Sequence, residues 1–346
     1  MRWWPMLILI AASLSGVCRA QGGTAPQGER VVRLGYFANV THAQAVLGTA
    51  SGDFAAAVAP AKLTTRTYNA GPALIESLFA GEIDIGYVGP GPALNAHLRS
   101  RGRGVRVVAG SACDGVAIVA RPGAGIYTLE DLRGKRIATP QLGNTQDLSV
   151  RHYVIHTLGQ PDANNVLPVP NAELAAMMSR GRIDAAWAVE PWASRLIAEA
   201  GGVVIAEEKD LWASGSPGLT VVIASPEFAE REPELLRRFL ETHVAWTEKL
   251  SVEAASHVPA IADALEQLTG KRLSAELLGS AMARVRFDAA VPAESLETFA
   301  KWSADLGFTR ATPNAATIVD DRTLREVLAA RREGKSAGVA KPVASP

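Results

Sequence analysis

The sequence predicts an α/β protein of two similar lobes, each a mostly parallel sheet flanked by helices, arranged as a clamshell. Three observations predict it. A segment recurs at an offset of 100 positions: "LIESLFAGEIDIGYVGP" (Leu74 to Pro90) and "LAAMMSRGRIDAAWAVEP" (Leu174 to Pro191) align Leu74 with Leu174, Gly81 with Gly181, Ile83-Asp84 with Ile183-Asp184 and Tyr87 with Trp187. Each copy reads as a helix, a Gly stop and a short apolar strand. Strands alternate with helices throughout the repeat, which is the pattern of a largely parallel sheet. Two long apolar runs, "VRVVAGSACDGVAIVARPG" and "GLTVVIASPEF", are placed to carry the chain from one lobe to the other and back. The offset is far too long for a solenoid repeat.

Taken in order, the chain opens on "MRWWPMLILIAASLSGVCRAQGG". Arg2, the apolar run from Pro5 to Leu14 and small residues up to Ala20 form a signal-peptide pattern over residues 1–20, with export and a mature start near Gln21. The run is shorter than a bilayer requires, and no later stretch reaches that length. Val17 stands where a lipid-modified Cys18 wants Gly or Ala, so cleavage is favoured over a lipid anchor. Cys113 is then the one thiol of the mature chain, and no intramolecular disulfide can form. An exported protein of this size does not require one.

"VVRLGYFANVTHAQAVLG" reads as strand, Asn/Thr loop and helix, and leads into the first repeat copy. "KRIATPQLGNTQDLSVRHYV" does the same for the second. After the return crossing come helices at Pro233 to Leu250, about Ala254 to Leu268, Ser274 to Val285, and Pro292 to Leu306. Lobe 1 is therefore expected over residues 31–116 and 220–330, and lobe 2 over 117–219. The small-residue, Lys/Pro tail 331–346 is expected to be disordered.

Composition narrows the function. The 346 residues are 48% hydrophobic, and 35 Lys plus Arg balance 35 Asp plus Glu. That composition excludes a disordered chain and lacks the basic excess of a nucleic-acid binder. No G-x-S-x-G, P-loop or H-E-x-x-H is present, and the acids form no evident acid/base pair. No enzyme activity and no cofactor are expected.

In parallel sheets ligands gather at the carboxyl ends of strands, so the loops there are the candidate site. In "FANVTHAQ" the candidates are Asn39, Thr41 and His42, with helix capping the alternative for Thr41. "VGPGP" supplies Gly89, Pro90 and Gly91; it lacks the third glycine of a dinucleotide loop, and its prolines remove donors a phosphate would need. The first crossing adds Ser111 and Asp114. "LGNTQD" adds Gly143, Asn144, Thr145 and Gln146. Asn144 with Asp147 forms a capping-box pattern, while free N–H groups at that helix start form a cradle for an anion. Both readings can hold together.

"WAVEPW" brings Trp187 and Glu190 to the opposite rim. Trp187, inside a strand, reads first as core and second as a rim residue. Glu190 and Asp114 would favour a ligand carrying a hydrogen-bond donor or amine as well as any anionic group; the alternative pairs Glu190 with Arg195 or Arg182. His152 and His156 have the i, i+4 spacing of metal ligands, but no carboxylate or third His accompanies them in the sequence, and no metal is expected. Arg151 falls in the apolar stripe of the same helix, either buried against a carboxylate or reaching the cleft.

Together "FANVTHAQ", "SACDGVAIVAR", "LEDLRGKRIATPQLGNTQD" and "GRIDAAWAVEPW" resemble the bacterial ABC-importer solute-binding proteins. The branch is the sulfonate/nitrate/taurine type, which also includes binders of thiamine-precursor pyrimidines. The resemblance spans about residues 31 to 310. "LEDLRGKRIA" is widespread among such binders; the "EPW" turn and two-lobed layout are more telling. The resemblance implies a type II periplasmic-binding fold that closes on a small-molecule solute. It also implies a periplasmic monomer that delivers the solute to an ABC permease driven by a cytoplasmic ATPase. A sensor module and an enzyme on the same fold are the alternatives it leaves open.

Overall fold

The computed structural model describes residues 30–213, 215–309 and 314–339. The expected signal peptide, its expected cleavage point and Cys18 lie outside the described residues. The chain enters through β1 (Val31–Phe37), α1 (Ala43–Ala50), α2 (Asp53–Val58), β2 (Lys62–Tyr68), α3 (Gly71–Phe79), β3 (Ile85–Val88) and α4 (Pro90–Arg99). Then β4 (Arg106–Asp114) passes through Gly115 into β5 (Val116–Ala120), which belongs to a second sheet. That lobe continues as β6 (Ile137–Thr139), α5 (Thr145–His152), a π-helical turn (Tyr153–Thr157), β7 (Val166–Pro168), α6 (Leu174–Ser179), β8 (Ala185–Val189), α7 (Trp192–Ala200) and β9 (Val203–Glu207). β10 (Gly218–Ala224) returns to the first sheet. α8 (Pro226–Arg231), α9 (Pro233–Glu253), α10 (Val258–Thr269), α11 (Ala275–Ala283), β11 (Val285–Phe287), α12 (Ala293–Asp305) and α13 (Arg322–Val339) follow.

The strand orders are β11-β4-β10-β3-β1-β2 and β7-β6-β8-β5-β9. Both sheets are mixed, which corrects the mostly parallel expectation. The repeat units β2-β1-β3 and β7-β6-β8 are parallel, as the alternation of strands and helices requires. The strands that cross between lobes, and those paired with them, run antiparallel: β10 to β3 and β4, β4 to β11, β5 to β8 and β9. Gly115 sits at the crossing with φ +73°, a left-handed conformation that glycine adopts without steric cost. The neighbouring Asp114 is also left-handed, at φ +63°.

The 100-position repeat is structural as well as sequential. Asp84 accepts from the backbone N–H, Nε and Nη2 of Arg33 at the start of β1. Asp184 accepts from the same three atoms of Arg136 at the head of β6, and Arg121 adds a fourth donor. Each arginine also reaches the carbonyl of the repeat glycine, Gly81 or Gly181. Apolar clusters fill both faces of each sheet, with Trp187, Tyr36 and Tyr87 among the largest side chains fully inside. α13 continues to Val339, so residues 331–339, expected to be disordered, are helical; the run of Leu324, Val327 and Leu328 against the first-lobe core anchors its start. No helix among the described residues is long and apolar enough to cross a membrane.

Candidate functional site

Four chain segments meet between the two sheets. The loop after β1 brings Phe37, Asn39, Thr41 and His42; the start of α3 brings Asn69, Ala70 and Gly71; the end of β3 brings Gly89; and the start of α5 brings Asn144, Thr145 and Gln146. With Pro92, Pro140, Asn171, Val189, Leu219 and Thr220 they enclose a cavity of about 40 Å³. At roughly 10–15 Å³ per water-sized occupant, it holds about three or four such groups. No Arg, Lys, Asp or Glu lines it.

The start of α5 explains what the cavity offers. Asn144 has extended backbone geometry and its Oδ1 accepts from the Asp147 N–H at 2.8 Å, an N-cap. Asp147, fully buried, reaches back to the Gly143 N–H at 2.8 Å rather than to Asn144. Asp147 also takes the Thr139 hydroxyl and Arg151 Nε, and Arg151 donates to the Ala163 and Val166 carbonyls. Arg151 is therefore half-buried against a carboxylate and does not line the cavity. The cap uses the amides of Gly143 and Asp147, and that of Asn144 donates to the Gln141 carbonyl, leaving those of Thr145 and Gln146 without a backbone acceptor among the described residues. Those two first-turn N–H groups and the positive end of the helix dipole are what an anion meets.

At α3 the capping residue is Ala70, which has no side-chain acceptor, so its first turn is also left for a ligand or water. α4 differs. Pro90 and Pro92 carry no N–H, and the Gly91 N–H is taken by the Thr145 hydroxyl at 3.2 Å. Pro90 and Gly91 are buried in this contact and do not line the cavity.

His42 is an uncharged donor. Its Nδ1 accepts from the Phe37 N–H at 3.2 Å, which places the ring proton on Nε2. The ring stacks on Phe37 with centroids 4.4 Å apart. Burial pushes its pKa down to about 3. Thr41 donates to Asn39 Oδ1 at 2.8 Å, which frees the Asn39 amide group to point elsewhere as a donor.

Several sequence-derived candidates lie outside the cavity. The Gly143 amide turns inward to Asp147, and Gly143 lines a separate outer groove beside Leu142 and Phe308. Glu190 is fully buried; it accepts from the Ser194 N–H and hydroxyl and from Arg284, and burial raises its pKa. Its partner is neither Arg195, which pairs with Glu199, nor Arg182. Asp114 accepts from the Ser216 hydroxyl and faces Arg286, and burial raises its pKa too. Neither acid lines the cavity, so neither supplies a partner for a donor or amine on the ligand, contrary to the sequence expectation. Ser111 bonds Gln44 inside the first lobe, and Trp187 is core, its Nε1 donating to the buried Glu208 at 3.0 Å. Sequence reading missed Asn69, Asn171 and Thr220, which carry no motif; Asn69 at the carboxyl end of β2 was accessible had that strand been recognised.

The cavity opens outward into a groove of about 860 Å³, which shares Phe37, Asn39, Asn69, Ala70, Pro140 and Asn171 with it. Farther out the groove is walled by Tyr68, Pro168, Pro170 and Trp192, and Glu173 is its one charged side chain. The polar pocket thus continues into a wider, partly aromatic channel.

Known proteins share this architecture. The taurine-binding periplasmic protein of Escherichia coli strain K12 is 28% identical over 182 residues, 52% of this chain and 54% of that one. The chain therefore spans about half the length of the curated relatives it matches. The alkanesulfonate-binding protein of Xanthomonas axonopodis pv. citri bound to MOPS superposes with a TM-score of 0.68 at 21% identity, over 85% of this chain and 99% of that one. The periplasmic nitrate-binding protein of Synechocystis PCC 6803 gives 0.72 at 13% identity, over 88% and 89%. These likenesses establish the two-lobed binding-protein fold. The NMT1-like family matches residues 25–265, and the chain belongs to that family.

Proposed function

We propose that the protein is the extracytoplasmic solute receptor of an ABC importer, taking a small organic anion of the sulfonate type between its lobes. It works as a monomer and delivers the solute to a membrane permease driven by an ATPase. The carrying observation is the cavity: Thr145 and Gln146 amides, a neutral His42 and the side-chain amides of Asn39, Asn69, Asn144 and Asn171, with no ionised side chain in the lining. A sulfonate presents three acceptor oxygens to such donors, and hydrogen bonds to a charged group contribute roughly 1.5–3 kcal/mol each. The groove beyond accommodates the organic substituent that nitrate lacks. Relatives that bind taurine and alkanesulfonate support the same class.

Mechanistically, binding and closure are one event. Helix starts on opposite lobes reach the same anion only when the lobes approach, so the anion adds contacts to the closed form that the open form lacks. Calorimetric titration with ethanesulfonate, taurine, MOPS, nitrate and an aminopyrimidine tests the class. Sulfonates bind and the aminopyrimidine does not; the reverse order refutes the reading.

A further inference from the structure

The far end of α5 carries a second cluster, about two helical turns from the anion cavity. His152 closes α5, His156 lies in the π-helical turn that follows, and Asp305 ends α12. One ligand atom from each of the three lies within 4.8 Å of the others. The His152 and His156 rings sit 4.5 Å apart, and His152 stacks on Trp302 with centroids 4.5 Å apart and an interplanar angle of 20°. His156 and Asp305 are exposed, while His152 is half-buried.

We propose that His152, His156 and Asp305 form a divalent transition-metal site, with zinc the best fit, that bridges the two lobes. Two imidazoles and one carboxylate are the three-ligand set of an open tetrahedral zinc site, with water in the fourth position. Imidazole nitrogen selects zinc, nickel or copper over calcium and magnesium, which take oxygen ligands. Donors about 2.0–2.2 Å from a tetrahedral zinc lie roughly 3.3–3.6 Å from one another. The observed cluster reaches that by a contraction of about an ångström, and the two surface side chains can supply it by rotation. π-Helical turns inside α-helices recur at functional sites, and this one carries His156 to within 4.5 Å, ring to ring, of His152 at the end of α5.

The ligands come from opposite sides of the cleft. α5 follows a second-sheet strand and buries Val150 in the second-lobe core, whereas Leu296, Phe299 and Ala300 of α12 are buried in the first-lobe core, which Leu148 of α5 touches from across the cleft. A bound metal therefore ties the lobes together at a point remote from the solute. The bland alternative is ordinary histidine packing on Trp302, and it accounts for His152 but not for the convergence of Asp305.

The test is titration of ZnCl2 alone into the untagged full chain by calorimetry, with Co2+ absorption reporting tetrahedral geometry. One zinc per chain is expected, with affinity lowered ten-fold or more in His156→Gln and in Asp305→Asn. Both positions are at the surface, and circular dichroism verifies that the variants keep their fold. Absence of zinc binding by the wild type, or binding unchanged in the double variant, overturns the site. Zinc binding lost in His156→Gln but retained in Asp305→Asn places the metal on α5 alone and overturns the bridge.

Discussion

The Gly91 N–H donates to the Thr145 hydroxyl at 3.2 Å, joining the first turn of α4 to the first turn of α5 across the cleft. Gly89, two residues earlier, is packed so tightly here that an added Cβ would stand 2.2 Å from Thr145 Oγ1. Its φ of −69° and ψ of 153° suit any residue, so the chain itself does not require glycine. Gly89→Ala is therefore expected to fold normally and to obstruct closure. Affinity for the sulfonate falls ten-fold or more, and small-angle scattering shows no ligand-induced compaction. Adding Thr145→Ala removes the colliding oxygen and restores part of the compaction.

Asn144→Ala and Gly143→Ala separate cap from cradle. The first removes the acceptor of the Asp147 amide and lowers stability by about 1 kcal/mol. It also weakens anion binding by less than ten-fold, because the Thr145 and Gln146 amides remain. The second forces a side chain into φ +76° and costs roughly 1–2 kcal/mol. Its effect on affinity is negligible, since the Gly143 amide already serves Asp147. Urea unfolding and calorimetry on the same samples measure both; a Gly143→Ala protein that is folded yet no longer binds contradicts the assignment.

Glu190→Gln addresses stability rather than recognition. The carboxylate holds the Ser194 amide and hydroxyl and Arg284 in a site closed to solvent. An amide has one acceptor oxygen in place of two, and one buried partner loses its bond at a cost of about 1–3 kcal/mol. Thermal denaturation shows the loss, whereas the sulfonate dissociation constant stays within two-fold of wild type.

Two buried histidines set an acid limit. His243 donates from Nε2 to the Gly110 carbonyl and accepts the Tyr87 hydroxyl on Nδ1, so the native fold specifies its neutral form. Burial lowers its pKa to about 4 and that of His42 to about 3. The unfolded chain takes up these protons near pH 6.5, whereas the folded chain refuses them until well below that. Stability conferred by the neutral rings is thus complete above about pH 6.5 and declines as pH falls, by up to ~1.4 kcal/mol per pH unit for each ring. Denaturation midpoints between pH 7 and 4.5 should fall accordingly, and His243→Gln should flatten the slope. Sulfonate affinity should stay level from pH 5 to 8; a steep rise toward pH 5 would mean that His42 binds as a cation.

The strands legible in the sequence are those in the interior of the sheets. β1, β3, β4, β5, β6, β8 and β10 are apolar runs between recognisable turns, and the repeat placed most of them. The strands that went unrecognised, β2, β7, β9 and β11, are the four sheet edges. Edge strands are short or half polar, as "KLTTRTY" is, and so carry little periodic signal. At the site, loop residues next to helix starts were identifiable because strand–loop–helix order fixes where donors point. Glu190 and Asp114 misled because proximity along the chain to a strand's end does not reveal which way a carboxylate turns. Their partners, Arg284 and Arg286, arrive from about 90 to 170 residues downstream, beyond the reach of local pattern.

The uncharged lining of the cavity has a consequence for letting go. A pocket that held its anion with a buried arginine would, once emptied, strand a desolvated cation at a cost of several kcal/mol. Backbone amides and a neutral imidazole leave no such debt: water replaces the solute at each donor, and the vacated protein is electrically the same as before. In the receptor role proposed above, unloading at a membrane partner then needs only separation of the lobes, with no counter-charge to be brought in.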